Sequence, residues 1–239
     1  MTAEEFARRA GLTFTVPSLL LRALTHRSYL NEHCEALEDN ERLEFLGDAV
    51  LDFLSGAWLY GSFPEMDEGQ LTRLRSSLVR TERLATFARE LGLGDVLRLG
   101  HGEDTSGGRK RPALLCGAFE ALVGAMYLDA GLDAVARFME PRWQSAAEVI
   151  LRDETHFDPR SLLQMWAQAE LGQTPKYQTI HSSGPDHARQ FEVEVHLGNG
   201  IHGRGQGFSK QDAAQEAAAD ALAKVGRPAK RVGRARDVE

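Results

Sequence analysis

The hydrophobic period changes part-way along this chain, and that change restricts the folds open to it. From Glu4 to about Leu151 the apolar residues recur at helical spacing, as in Leu43, Leu46, Val50, Phe53 and Leu54 and again from Ala113 to Leu128. Long alternating patterns are absent there. Towards the C-terminal end, Phe191, Val193, Val195 and Leu197 alternate with polar residues, as a strand with one buried face does. A helical period of about 3.6 and a strand period of about 2 demand different packing partners. The spacing therefore predicts an all-α domain followed by a small α+β domain.

Turn and cap residues refine that division. Ser106-Gly107-Gly108 followed by Arg109-Lys110-Arg111-Pro112 marks an exposed loop between two helical stretches. Around Arg152 to Phe157 the chain turns polar, and Asp158 then reads as an N-cap with Pro159 at the first helical position. That helix runs through Leu162, Leu163, Met165 and Trp166 to Gly172. Tyr177 to His181 and Gln190 to Leu197 read as strands, and Gly198-Asn199-Gly200 as the turn into a third near Ile201. A last helix follows from Ser209 to Val225, ended by Gly226 and Pro228. The expected layout is a helical domain over 1–152, a linker over 153–157, an α-β-β-β-α domain over 158–226 and a basic tail over 227–239.

With 239 residues, 42% of them hydrophobic, the chain is long enough to bury two modest cores. Cys34 and Cys116 are too few for a disulfide framework and lack metal-finger spacing, which fits a reducing cytoplasm. The first twenty residues carry acids and no continuous apolar run, and no later stretch is expected to reach bilayer-spanning length, so no membrane insertion is expected. A net charge of −7 argues against a uniformly basic surface, although Arg227, Lys230, Arg231, Arg234 and Arg236 stand against only Asp237 and Glu239 in the tail.

The segment Asn40-Glu41-Arg42-Leu43-Glu44-Phe45-Leu46-Gly47-Asp48-Ala49-Val50-Leu51 is the most informative. On a helix, Glu41, Glu44 and Asp48 fall within about 60° of one another, opposite Leu43, Leu46, Val50 and Leu54. Such a stripe fits a solvated acidic face as well as a cation site. Phe45 lies on the acidic side, where an aromatic either stands alone in solvent or meets a partner surface. Glu120 is the only charged residue between Ala113 and Leu128, so it either points outward or serves a cleft, because burying an unpaired carboxylate is costly. Together Glu44, Asp48 and Glu120 could supply hard oxygen ligands for Mg2+, which is typically held by a few carboxylates and activates water at a phosphodiester.

The segment NERLEFLGDAVL resembles the signature of the ribonuclease III family. Leu24-Thr25-His26-Arg27-Ser28, Asp67-Glu68-Gly69-Gln70-Leu71 and Phe119-Glu120-Ala121-Leu122 with Tyr127-Leu128-Asp129 are further matches in the family's order. The resemblance implies a homodimeric endoribonuclease that cuts double-stranded RNA with Mg2+, leaving 5′-phosphate and 3′-hydroxyl ends. It implies that Glu44 and Glu120 bind the metal, that Asp48 is a catalytic carboxylate, that Glu41 and Glu68 line the cleavage valley and that Phe45 inserts into a partner subunit. Ribosomal RNA precursors and structured messenger RNA are the substrates it implies. Gly117 stands where the family usually has an aspartate, so weakened or altered metal dependence is expected. A non-cleaving RNA-binding dimer is the reading that this glycine keeps open; a metal phosphohydrolase for small substrates is disfavoured by the C-terminal domain.

Residues 158–225 resemble the double-stranded RNA-binding domain, which reads the shape of A-form RNA through phosphates and 2′-hydroxyls. Gln164 and Gln168 share one face of its first helix by spacing, and the resemblance implies that they and the loop containing His187 reach the minor grooves. Ser209 and Asp212 have capping spacing, placing Lys210 at a helix N-terminus where phosphate is favoured. Gln211 stands where the family often has a second lysine.

Overall fold

The computed structural model describes residues 1–33, 35, 38–153, 159–185, 189–198 and 200–226. Cys34, the linker beyond Asp153, the expected cap Asp158, the loop residues Asp186 and His187, the turn residue Asn199 and the basic tail lie outside the described residues. The chain divides into two compact units, one of Met1–Tyr60 with Gly69–Ala146, the other of Gly61–Glu68 with the chain from Ala147.

The first unit is helical, as expected. Its elements are α1 (Ala3–Arg9), α2 (Pro17–Ala23), α3 (Arg27–Leu30), α4 (Glu41–Ser62), α5 (Glu68–Val79), α6 (Thr81–Leu91), α7 (His101–Thr105), α8 (Pro112–Ala130) and α9 (Leu132–Asp153), with α4, α5 and α9 extending into the second unit. Helix α8 is apolar on nearly every face, and such a helix belongs in the interior. Phe119, Leu122, Val123 and Ala125 are fully buried, and Phe119 packs its ring against Phe87 and Phe138. The expectation that no stretch reaches spanning length is corrected: α8 is long and apolar enough to cross a bilayer by length and composition, but 67% of its most apolar window is buried within the protein. Its hydropathy is that of a core helix.

The basic run after Gly108 lies in a largely exposed stretch, as expected, yet its arginines are tied down. Arg109 donates from Nη1 to the carbonyls of Gly94 (3.0 Å) and Leu97 (2.8 Å) and from Nε to Asp104, while Arg111 pairs with Glu103. Gly108 is buried. The run serves largely to tie the approach to α8 against neighbouring loops.

The second unit carries α10 (Pro159–Leu171), β1 (Lys176–Ser183), β2 (Gln190–His196), β3 (His202–Gly207) and α11 (Lys210–Lys224). The strands form an antiparallel sheet in the order β1-β2-β3, with Val193 and Val195 of β2 buried as their alternation requires. Helix α11 is built on alanine, and β3 on glycine, because the two approach to backbone contact. A Cβ on Gly203 would lie 2.1 Å from the Ala217 carbonyl oxygen, and one on Gly205 would lie 2.2 Å from the Ala217 nitrogen. Leu163, Ala167, Val193, Val195, Ala213, Ala217 and Leu222 form the core between helices and sheet.

Candidate functional site

The acidic stripe is positioned by a buried asparagine and two glycines. Asn40, only 3% exposed, donates its backbone N–H to the Thr25 carbonyl (2.9 Å) and its side-chain amide to the Ala23 carbonyl (3.2 Å), while its own carbonyl accepts from Glu44 N. This fixes where α4 begins and how it is rotated. Leu43, Val50, Leu51 and Leu54 then face the interior, and Glu41, Glu44 and Asp48 remain on the other side.

Helix α4 crosses α8 at backbone contact. A Cβ on Gly47 would stand 1.8 Å from the carbonyl oxygen of Glu120, and one on Gly124 would stand 2.3 Å from that of Leu43. Only glycine permits this approach, and it carries the stripe to Glu120, which sits half-buried on α8. The structure thus joins residues about eighty positions apart, a meeting that neither helix's spacing contains.

Electrostatics record the encounter. Burial, with a smaller contribution from the charges of Asp48 and Glu44, pushes Glu120 up to about 7 against the bond it accepts from Cys116, whose Sγ lies 3.4 Å from Oε1. Glu44 is raised by burial and then by Glu41, Asp48 and Asp39. Burial and the neighbouring Glu120 push the Cys116 thiol up to about 12, so it remains a neutral donor. Among the described residues, the charges that raise Glu44 and Glu120 are carboxylates.

A donor set of hard carboxylate oxygens under mutual repulsion suits a divalent cation, whose charge would offset that repulsion. Among the described residues no group of three or more His, Cys, Asp or Glu stands at metal-ligand separation, so the acids must turn towards one another to hold an ion. Glu44 lies against α8. Its carboxylate rests against Gly117, where a Cβ would meet Oε2 at 2.7 Å and Cδ at 2.8 Å. The space an aspartate side chain would enter from position 117 is occupied by Glu44.

The remaining candidates are placed as follows. Glu41 opens α4 and pairs with Arg27, Oε1 to Nη1 at 3.0 Å. Glu68 opens α5, is exposed, packs with the second unit and is not among the charges acting on Glu44 or Glu120. Phe45 is 81% exposed, and Phe53 and Tyr60 are also exposed along α4. In the second unit Gln168 is exposed, but Gln164 is 3% exposed and donates to Gln168 Oε1 at 3.3 Å. The two glutamines share a face as expected, but packing covers Gln164 and leaves Gln168 open. Ser209 Oγ accepts from Asp212 N at 3.0 Å, capping α11 as expected, and exposed Lys210 begins that helix with Nζ 6.0 Å from the centre of the Phe191 ring.

Sequence reasoning passed over Gly47, Gly124 and Cys116. The glycines carry a signal, since each interrupts a good helix at a cost that a close crossing explains. Cys116 had none beyond its spacing of one turn before Glu120.

This chain resembles known proteins along most of its length. Residues 17–145 match a family described as Ribonuclease-III-like, and residues 159–225 match the double-stranded RNA binding motif. Ribonuclease 3 of Roseiflexus sp. is 45% identical over 92% of this chain and 94% of its own length. That of Bacillus cereus is 44% identical over 92% and 90%. A solved nuclease domain of ribonuclease III from Campylobacter jejuni, described as flexible in a region involved in dimer formation, superposes with a TM-score of 0.55 at 36% identity, over 60% of this chain and 96% of that one.

Proposed function

We propose, given that this chain belongs to the ribonuclease III family, that it hydrolyses phosphodiester bonds of double-stranded RNA to 5′-phosphate and 3′-hydroxyl ends, using Mg2+ held by Glu44, Asp48 and Glu120. The observation that carries this reading is the α4–α8 crossing, which brings the acidic stripe of α4 to Glu120. When bound, the ion would activate water and stabilise charge on the phosphate under attack. Glu120 must release the proton it holds up to about pH 7 before its oxygens can act as ligands. In this reading Asp48, exposed on the stripe, and Glu41 beside it meet the incoming strand.

The second unit holds the duplex. Gln168, Ser209 and Lys210 are its available contacts among the described residues, with Lys210 at a helix end that favours phosphate. Exposed Phe45, with Phe53 and Tyr60, supports assembly as a homodimer. Ribosomal RNA precursors and structured messenger RNA in the cytoplasm are the substrates of this reading.

Incubation with long double-stranded RNA tests it. Short products bearing 5′-phosphates, formed only with Mg2+, are expected. RNA that is bound but left intact at saturating Mg2+ overturns the cleavage assignment in favour of a non-cleaving RNA-binding dimer, the reading that Gly117 keeps open.

A further inference from the structure

Arg27 combines a tightly held backbone with an exposed side-chain head, beside the acidic stripe of α4. The backbone is braced from two directions. His26 N donates to the Arg98 carbonyl (3.0 Å) and Arg98 N to that of Leu24 (2.8 Å), while Asn40 N donates to that of Thr25. On the far side Ser28 Oγ accepts from Gly100 N at 2.9 Å, and Ser28 N donates to His26 Nδ1 at 3.2 Å, capping α3. Between these anchors the Arg27 side chain is 70% exposed, and its pairing partner Glu41 is 52% exposed.

That ion pair does not account for the bracing. A solvent-exposed, single-point pair adds little to stability. Glu41 is also favoured without it, as the first residue of a 22-residue helix whose amide end attracts carboxylates. Arg27 can therefore exchange Glu41 for another anion at small cost. The anion that must arrive is the RNA backbone, which meets Glu41, Glu44, Asp48 and Glu120 on this part of the protein and is repelled by them. A guanidinium offers phosphate a forked pair of charge-assisted bonds.

We propose that Arg27 is a phosphate-binding residue that leaves Glu41 and grips the RNA backbone beside the cleavage site. This rests on the reading of the chain as a double-stranded-RNA nuclease. Docking thereby positions the strand and strips Glu41 of its cation in one motion.

The test uses the full chain and the variants Arg27→Gln, Arg27→Lys and Glu41→Gln. The salt dependence of kcat/KM on a short duplex, at saturating Mg2+, is the readout. Arg27→Gln should lower kcat/KM by roughly tenfold and flatten the log–log salt slope by about one, the signature of one lost phosphate contact. Arg27→Lys should keep the slope with a smaller loss of rate, and Glu41→Gln, which removes the ion pair but keeps the cation, should keep the slope too. An unchanged slope in Arg27→Gln overturns the proposal and leaves Arg27 as a clamp on Glu41. Equilibrium binding of the duplex without divalent cation reads the same slopes. A wild-type protein that binds but never cuts thus refutes the nuclease reading while still deciding the role of Arg27.

Discussion

Both units bring backbones together through glycine, yet they use the contact for opposite ends. In the helical unit, Gly47 and Gly124 let α4 and α8 touch, and the product is a half-buried gathering of like charges. In the second unit, Gly203 and Gly205 let β3 lie on the alanines of α11, and the product is an apolar core with Lys210 left outside. The first contact spends stability to concentrate charge, whereas the second gains it by packing. On the proposed reading, chemistry in this chain depends on a long-range meeting of helices, and recognition depends on how one small fold presents its surface.

The sharpest way to break that contrast is to remove the charges. Glu120→Gln and Asp48→Asn should lower cleavage by roughly 100-fold or more while leaving duplex binding near wild type. Single-turnover assays beside gel-shift titrations decide it, and near-normal cleavage by Glu120→Gln at saturating Mg2+ would refute the assignment.

Next come the glycines themselves. A methyl at position 47 would stand 1.8 Å from a backbone oxygen and one at position 205 would stand 2.2 Å from a backbone nitrogen, so each overpacks its own contact. A cost of about 1–3 kcal/mol or more is expected in either case, read from denaturant midpoints. Gly47→Ala should lose cleavage and keep duplex binding, and Gly205→Ala should lose binding while the helical unit stays folded. Loss of both activities in either variant shows that the two contacts are not independent.

Phe45→Glu puts a charge where an exposed aromatic now stands and should shift the protein towards monomer. Sedimentation at micromolar concentration measures this, and a wild-type monomer rules out the proposed dimer.

A smaller effect concerns Gly117. Because Glu44 rests on this glycine, Gly117→Asp must displace its carboxylate before adding a ligand of its own. The Mg2+ concentration for half-maximal rate should fall in Gly117→Asp and rise in Gly117→Ala, which displaces Glu44 and contributes nothing. An unchanged requirement in both shows that position 117 is not coupled to the metal.

The smallest expected effect is in pH dependence, where the two units have opposite signs. Glu120 is raised from 4.5 to about 7, so the stability its protonated form provides is complete below about 4.5 and lost as pH climbs through about 7. Glu194 is lowered by its bond from Arg204, so that contribution is present above the usual glutamate range and disappears in acid. Melting temperatures of the metal-free protein between those limits should therefore show a decline with rising pH in the helical unit that Glu120→Gln removes. A profile identical in Glu120→Gln contradicts the burial inferred for that carboxyl.

Much of this architecture is written in short-range pattern. The period of the apolar residues marked a helical unit and a mixed one, and the alternation at Phe191 to Leu197 gave β2 its buried face at Val193 and Val195. Ser209 and Asp212 announced the cap of α11, and the stripe of Glu41, Glu44 and Asp48 followed from the angle between successive residues. All these depend on atoms within about two helical turns, where backbone geometry leaves little choice. What lies beyond that reach was decided by tertiary packing. Nothing in the spacing of α10 shows that Gln164 is covered while Gln168 is open, or that Arg109 would bend back onto the carbonyls of Gly94 and Leu97. The amino-acid sequence by itself determined which acids share a helix face; the approach of α4 to α8 determined that Glu120 joins them. The physical reason is that a residue's own face is set by local dihedral angles, whereas its partner across the fold is set by how closely two backbones can come, and here two glycines allowed contact.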